Sequence, residues 1–212
     1  MDELSVFAMF SAGALGAVAG RAGRSLLASR LVGVRSPRWC CEAGVGALWA
    51  LVAARTATGA LPVWWAPVPL LLGLAGVLLA VCDLIAARLP DVLTLPAYPV
   101  VLAAIGGAAV AVGEPAPLVA ALLGALLFAS CYALVRMLSP PALGPGDLKL
   151  SGSLGAAVGA VSVPAVPGCV LTSAVLTVLH ACCARKRAVA HGPAMLLPAW
   201  LVTAFGPIPG GG

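Results

Sequence analysis

Long apolar runs, separated by short segments rich in proline or charge, set the pattern of this chain. Strand-like alternation is absent, and most runs approach the roughly 20 residues that a helix needs to cross a bilayer. The pattern therefore predicts an all-α, polytopic integral membrane helix bundle with about eight transmembrane spans. The predicted spans are 4–20, 43–61, 67–83, 95–112, 117–138, 150–163, 167–184 and 192–206. The sixth and eighth are short, which indicates partial or re-entrant helices.

Composition supports a membrane protein and argues against a soluble or nucleic-acid-binding one. Of 212 residues, 62% are hydrophobic and only 9% are charged, and the mean hydropathy is +1.10. A soluble core of this size cannot bury so much apolar sequence. The basic residues are dispersed without interleaved aromatics, so no nucleic-acid partner is expected. The lipid bilayer is the expected environment, and the sequence sets no oligomeric state.

The basic residues agree with eight spans. Eleven of the twelve Lys and Arg residues fall on one side of the membrane in that arrangement, and the positive-inside rule makes that side the cytoplasm. Arg55 is the exception, and a seven-span arrangement would scramble the agreement. The longest cytoplasmic loop is 21–42, where arginines alternate with leucines. This alternation favours an amphipathic element lying along the lipid headgroups.

Two aspartates fall at the cytoplasmic ends of predicted spans. Carboxylates at a membrane are costly and usually functional, which singles out Asp83 and Asp147. Asp147 follows Gly144 and Gly146, which lack a Cβ and so permit close approach and turns that other residues resist. Peptide hydrolysis by two carboxylates needs one ionised and one protonated. We therefore predict an aspartic protease with Asp83 and Asp147 catalytic and with Gly144, Gly146 and Lys149 in its active-site loop.

Each aspartate also has a purely structural interpretation. Asp147 at a helix start is able to act as a cap or a dipole partner. Asp83 is five residues before Arg88, which suits an interfacial ion pair. Asp91 follows Pro90, where an aspartate commonly belongs to a turn or caps a helix.

A metal site is not expected from this sequence. His180 and His191 are the two histidines, and ordinary hydrogen bonding is the favoured interpretation of both. The seven cysteines form no CxxC pair, the spacing that brings two thiolates to one zinc ion. We predict neither a metal nor a cofactor.

These motifs resemble those of type IV prepilin peptidases, the bacterial branch of the GxGD intramembrane aspartic proteases. The resemblance covers about 67–206 and assigns the two catalytic aspartates to Asp83 and Asp147. The first motif is Asp83 followed by Arg88-Leu89-Pro90-Asp91-x-Leu93-Thr94-Leu95-Pro96. The second is Gly144-x-Gly146-Asp147-x-Lys149-Leu150, and the Gly-Pro-rich final span is matched by His191-Gly192-Pro193-Ala194-Met195-Leu196.

The resemblance implies a substrate and a location. The substrates would be type IV prepilins or pseudopilins, whose leader peptide is removed at the cytoplasmic edge of the bacterial inner membrane. An apolar lateral groove among spans 3 to 6 is then expected for the substrate helix. Glu42 or Asp91 would help to bind the basic leader.

The N-terminal third departs from the fullest family members. They carry a cytoplasmic zinc-binding loop with two CxxC pairs and also methylate the new pilin N-terminus. Here 1–66 is interpreted as N-terminal spans with a short basic loop, a reduced counterpart of the methylase region, and 67–212 as the peptidase membrane domain. The missing loop leaves N-methyltransferase activity in doubt, although cleavage-only relatives exist.

Other functions remain open at the level of sequence. One is a different GxGD protease, similar to preflagellin peptidase or signal peptide peptidase. Another is a non-enzymatic transporter that uses Asp83 and Asp147 as proton or cation sites. A third is an inactive structural member of a pilus assembly complex. The resting distance between the aspartates is also open, because catalytic geometry often tightens on substrate binding.

Overall fold

The computed structural model describes residues 3–139, 143–184 and 190–208. Within these ranges the chain forms eight α-helices and a single 3₁₀ turn at Val63–Trp65, without strands. The helices are α1 (Glu3–Ala28), α2 (Cys40–Ala57), α3 (Pro67–Ala86), α4 (Asp91–Val112), α5 (Ala116–Leu138), α6 (Pro145–Val161), α7 (Ala165–Ala184) and α8 (Gly192–Phe205). Five are long and apolar enough to cross a membrane, namely α1, α3 with the 3₁₀ turn, α4, α5 and α7. The predicted all-α membrane bundle is confirmed.

Helix α6 lies at the centre of the bundle. It contacts α4, α5, α7 and α8, and every residue in 150–161 is buried. An apolar helix buried on all faces is typical of the core of a large bundle. With 17 residues in α6 and 14 in α8, these are the shortest described α-helices, as predicted. Helix α6 begins at Pro145 and not at 150, because proline is well suited to the first helical position.

Glycines allow α5 and α6 to touch through their backbones. A Cβ added to Gly159 would lie 2.5 Å from Ala120 O and 2.7 Å from Gly124 Cα, and one added to Gly155 would collide with Gly124 O. Small residues four apart are a common device for close helix packing in membranes. Helix α6, which carries Asp147, is therefore held firmly against α5.

Tryptophan and arginine side chains attach α8 to the rest of the bundle. Trp200 Nε1 donates to Pro69 O at the start of α3, and Trp65 Nε1 donates to Thr203 O, both at 2.9 Å. Arg55 Nε donates to Ala204 O at 2.7 Å, near the helix C-terminus, where a cation is favourable. This contact accounts for the one basic residue that departs from the predicted charge pattern.

The 21–42 segment differs from its prediction. Helix α1 continues to Ala28, and beyond it Val32 and Val34 are each only 3% exposed. Arg88 Nη2, just after α3, donates to Val32 O at 2.6 Å. The segment therefore extends α1, folds back and packs against the end of α3, and its position along the lipid headgroups stays a prediction.

The α5–α6 contact makes Gly155→Ala a sensitive test of the fold. We expect it to lower the free energy of unfolding by about 1–3 kcal/mol, because an added methyl group forces the two backbones apart. Gly107→Ala is the matched control, since a Cβ there meets nothing within 4 Å. Thermal unfolding of both variants in detergent measures the difference. Equal midpoints would contradict the close packing described here.

Candidate active site

Asp83 lies in the last turn of α3 and is buried, with 8% of its surface exposed. Its Oδ2 atom accepts a hydrogen bond of 2.7 Å from the backbone N–H of Gly192, the first residue of α8. An N–H donor of this kind stabilises a carboxylate that has lost its contact with water. Helix α8 therefore contributes directly to the environment of Asp83.

Asp147 is the third residue of α6 and is equally buried, at 8% exposed. Its Oδ2 atom accepts the N–H of Gly144 at 3.1 Å, which is half of a capping box. The capping interpretation is thus confirmed for this oxygen. Its Oδ1 atom is buried and, within the described residues, has no hydrogen-bond partner. Such an atom is costly unless another molecule supplies a donor.

The two aspartates share one neighbourhood although 64 positions separate them in the sequence (147 − 83). The charge of Asp83 acts on the carboxylate of Asp147. The structure thus brings together the two residues that the sequence singled out. Carboxylates that interact electrostatically do not ionise independently, and the pair titrates as a unit.

The predicted ion pair between Asp83 and Arg88 is wrong. Arg88 uses its guanidinium to donate to Val32 O at 2.6 Å. Among the residues the structure describes, the ion pairs are Arg24–Glu42 and Lys149–Asp91, so Asp83 is not paired with Arg88. Arg88 anchors a loop and leaves Asp83 to its backbone donor.

The two glycines before Asp147 contribute by their lack of a side chain and not by an unusual backbone conformation. Gly144 has φ −67° and Gly146 is not among the glycines with positive φ, so neither needs a conformation that other residues resist. A Cβ on Gly146 would lie 2.7 Å from the Cβ of Leu89. Gly146 therefore lets α6 approach the segment that follows Asp83. Gly144 supplies the N–H that binds Asp147.

Lys149 forms its ion pair with Asp91 and not with either of the predicted catalytic aspartates. Its Nζ atom lies 2.8 Å from both carboxylate oxygens of Asp91. Asp91 is the first residue of α4 and makes no capping bond, so its predicted capping role is replaced by this ion pair. Glu42 is likewise bound to Arg24 Nε at 2.7 Å. Both acidic residues expected to meet a basic leader already have a cation partner.

A polar cluster beside the aspartates was missed by sequence reasoning. The two ring nitrogens of His191 bind the hydroxyls of Tyr132 (Nε2, 2.9 Å) and Thr177 (Nδ1, 2.6 Å). The charge of Asp147 acts on Tyr132. The available signal was two polar residues inside apolar spans and a histidine directly before Gly192. In the described parts of the chain, no group of three His, Cys, Asp or Glu residues is arranged to hold a metal.

An apolar groove opens between α1, α3 and α4, with a volume of about 520 Å³. The prediction placed a groove among spans 3 to 6; this one includes α1 and excludes α5 and α6. Leu78, at one end of it, is five residues before Asp83, or about 7.5 Å along a helix. The lining includes Gly23, Leu26, Leu74, Ala75, Leu78, Pro96 and Val100.

Comparison with known proteins gives one informative result. No curated protein and no solved structure matches the chain. The model of the Type IV leader peptidase family matches residues 70–183, just over half of the sequence. This range includes Asp83, Asp147, the Asp91–Lys149 pair and most of the apolar groove. The chain, with its two buried carboxylates at one end of a membrane helix bundle, belongs to the type IV leader peptidase family.

Proposed function

We propose that this protein is a membrane aspartic endopeptidase that removes the leader peptide of type IV prepilins or pseudopilins. The family supports a leader-peptidase-like membrane protease. The observation that carries the aspartic mechanism is the buried Oδ1 atom of Asp147, which has no hydrogen-bond partner among the described residues and lies within electrostatic range of Asp83. A catalytic water or a scissile carbonyl hydrogen-bonded to a protonated Asp147 would satisfy that atom.

The proposed reaction uses the pair in two protonation states. The ionised carboxylate removes a proton from water as the water oxygen attacks the scissile carbonyl carbon. The protonated carboxyl group donates its proton to the carbonyl oxygen. Collapse of the tetrahedral intermediate breaks the C–N bond: the leaving amine takes the proton that the first carboxylate removed from water, and the second carboxylate recovers a proton from a hydroxyl of the intermediate. No metal takes part in these steps, which follow the logic of paired carboxylates in aspartic proteases.

The apolar groove offers a route for the hydrophobic helix of the substrate. It is open between α1, α3 and α4, and its Leu78 end lies toward the turn that holds Asp83. A substrate helix in the groove would present the leader junction near the aspartates. We place the aspartates at the cytoplasmic edge of the bacterial inner membrane, on the side where the positive-inside rule puts most basic residues. The sequence contains no CxxC pair, so the proposal covers cleavage and makes no claim about methylation.

Asp83→Asn and Asp147→Asn each test the mechanism. We expect either change to lower prepilin cleavage by at least about 10³-fold, because an amide neither accepts nor donates the catalytic proton. The assay is co-expression with candidate prepilins and mass spectrometry of the pilin N-terminus, which also reveals an added methyl group. Glu114→Gln is the matched control, because it also turns a carboxylate into an amide and Glu114 is exposed and distant from both aspartates in the sequence. Retained cleavage in either aspartate variant would refute the aspartic mechanism.

A bulky residue in the groove tests the substrate route. Ala75→Trp should raise KM about tenfold with kcat little changed, because it fills the space for the substrate helix and leaves the aspartates untouched. The control is Leu122→Trp on α5, where Leu122 is 60% exposed and outside the groove. Steady-state cleavage of a purified prepilin measures both constants. An unchanged KM in folded Ala75→Trp would remove the groove from the account.

A further inference from the structure

The start of α8 is held in place by a histidine that the proposed chemistry does not use. Gly192 donates its N–H to Asp83, and the residue directly before it is His191. The imidazole lies between Tyr132 on α5 and Thr177 on α7, with one ring nitrogen bound to each. Three helices therefore meet at the residue that precedes the donor to Asp83.

Hydroxyl groups of α5 and α7 hold the imidazole at both ring nitrogens. On α7, Ser173 Oγ donates to Cys169 O at 2.7 Å, and Thr177 Oγ1 lies 2.8 Å from Ser173 O and 2.6 Å from His191 Nδ1. Ser173 also bonds to the hydroxyl of Tyr132, which lies 2.9 Å from Nε2 of His191. Burial lowers the pKa of His191, which favours the neutral imidazole. Either neutral tautomer satisfies these contacts, and in both the ring is bound at its two nitrogens.

The histidine cluster lies near both aspartates. Tyr132 stacks on Phe128 with ring centroids 5.1 Å apart, and its ring is tilted by 40° to that of His191 at 5.6 Å. Tyr132 is within electrostatic range of Asp147, whereas Gly192 binds Asp83. The imidazole thus lies between an α5 side chain near Asp147 and the backbone donor of Asp83.

We propose that His191 is a positioning residue of the aspartate pair: its imidazole, bound between Tyr132 and Thr177, holds the Gly192 N–H against Asp83. This bond occupies Oδ2 of Asp83 and so orients the other oxygen of that carboxylate. The catalytic consequence rests on the proposed function, whereas the ring contacts and the Gly192 bond do not. The two parts are tested separately.

The structural part is tested by nuclear magnetic resonance without any substrate. His191-Gly192 is the one His-Gly dipeptide in the sequence, so labelling histidine carbonyls with ¹³C and glycine nitrogens with ¹⁵N selects a single amide signal. We expect Asp83→Asn and Tyr132→Phe to shift this signal strongly and His180→Leu to leave it in place. The ring ¹⁵N signals of His191 should also shift in Tyr132→Phe. An unmoved Gly192 amide signal in folded Tyr132→Phe would overturn the proposal.

The catalytic part is tested by a split between kcat and KM. Folded Tyr132→Phe and His191→Leu should lower kcat about tenfold or more with KM little changed, because small displacements at a reacting centre slow the chemical step. His191→Gln keeps a donor and an acceptor and should recover part of the loss, and His180→Leu should match wild type. A kcat equal to that of the wild type in folded His191→Leu would overturn the positioning role. If wild type cleaves no prepilin while the amide signal behaves as expected, the proposed function fails and the structural part stands.

Discussion

Two carboxylates buried in an apolar helix bundle impose the constraint on which the rest of this structure depends. Removing a charge from water is expensive unless hydrogen bonds or a proton compensate for it. Here backbone N–H groups reach both carboxylates, with Gly192 donating to Asp83 and Gly144 donating to Asp147. One oxygen of Asp147 receives none within the described residues. The bundle tolerates this cost at one end, which is the expected behaviour of a functional site in a membrane.

The helix packing serves to hold these donors in place. Glycines bring α6 against α5, and this contact fixes the helix that carries Asp147. Trp200 and Trp65 fix α8 against α3 and the 3₁₀ turn, so that Gly192 reaches Asp83. The same contacts that stabilise the fold therefore determine the distance and orientation of the two carboxylates.

The sequence predicted the elements that arise from local pattern. Apolar runs gave eight helices with bounds close to those observed, apart from the extension of α1 and the early starts of α4 and α6. The glycine-rich motif led to Asp147 and the span edge to Asp83, because a carboxylate at a membrane is conspicuous. Their catalytic roles stay predictions.

Contacts between segments that are distant along the chain could not be predicted from the sequence. Arg88 binds Val32 O and Lys149 binds Asp91, whereas sequence proximity suggested Asp83 for Arg88 and a cap for Asp91. The role of Gly144 in donating its N–H also needed coordinates, since its φ is ordinary. Partner choice depends on how helices pack, and a single sequence carries little information about that packing.

The most direct test of the central claim, that Asp83 and Asp147 work as one proton-sharing pair, is the pH dependence of kcat/KM for prepilin cleavage. A pair with one ionised and one protonated member predicts a bell-shaped profile whose two limbs belong to the pair. Activity should fall at low pH as both carboxyl groups become protonated, and at higher pH as both become ionised. A profile with one limb only, flat on the other side across the range in which the enzyme stays folded, would contradict the account.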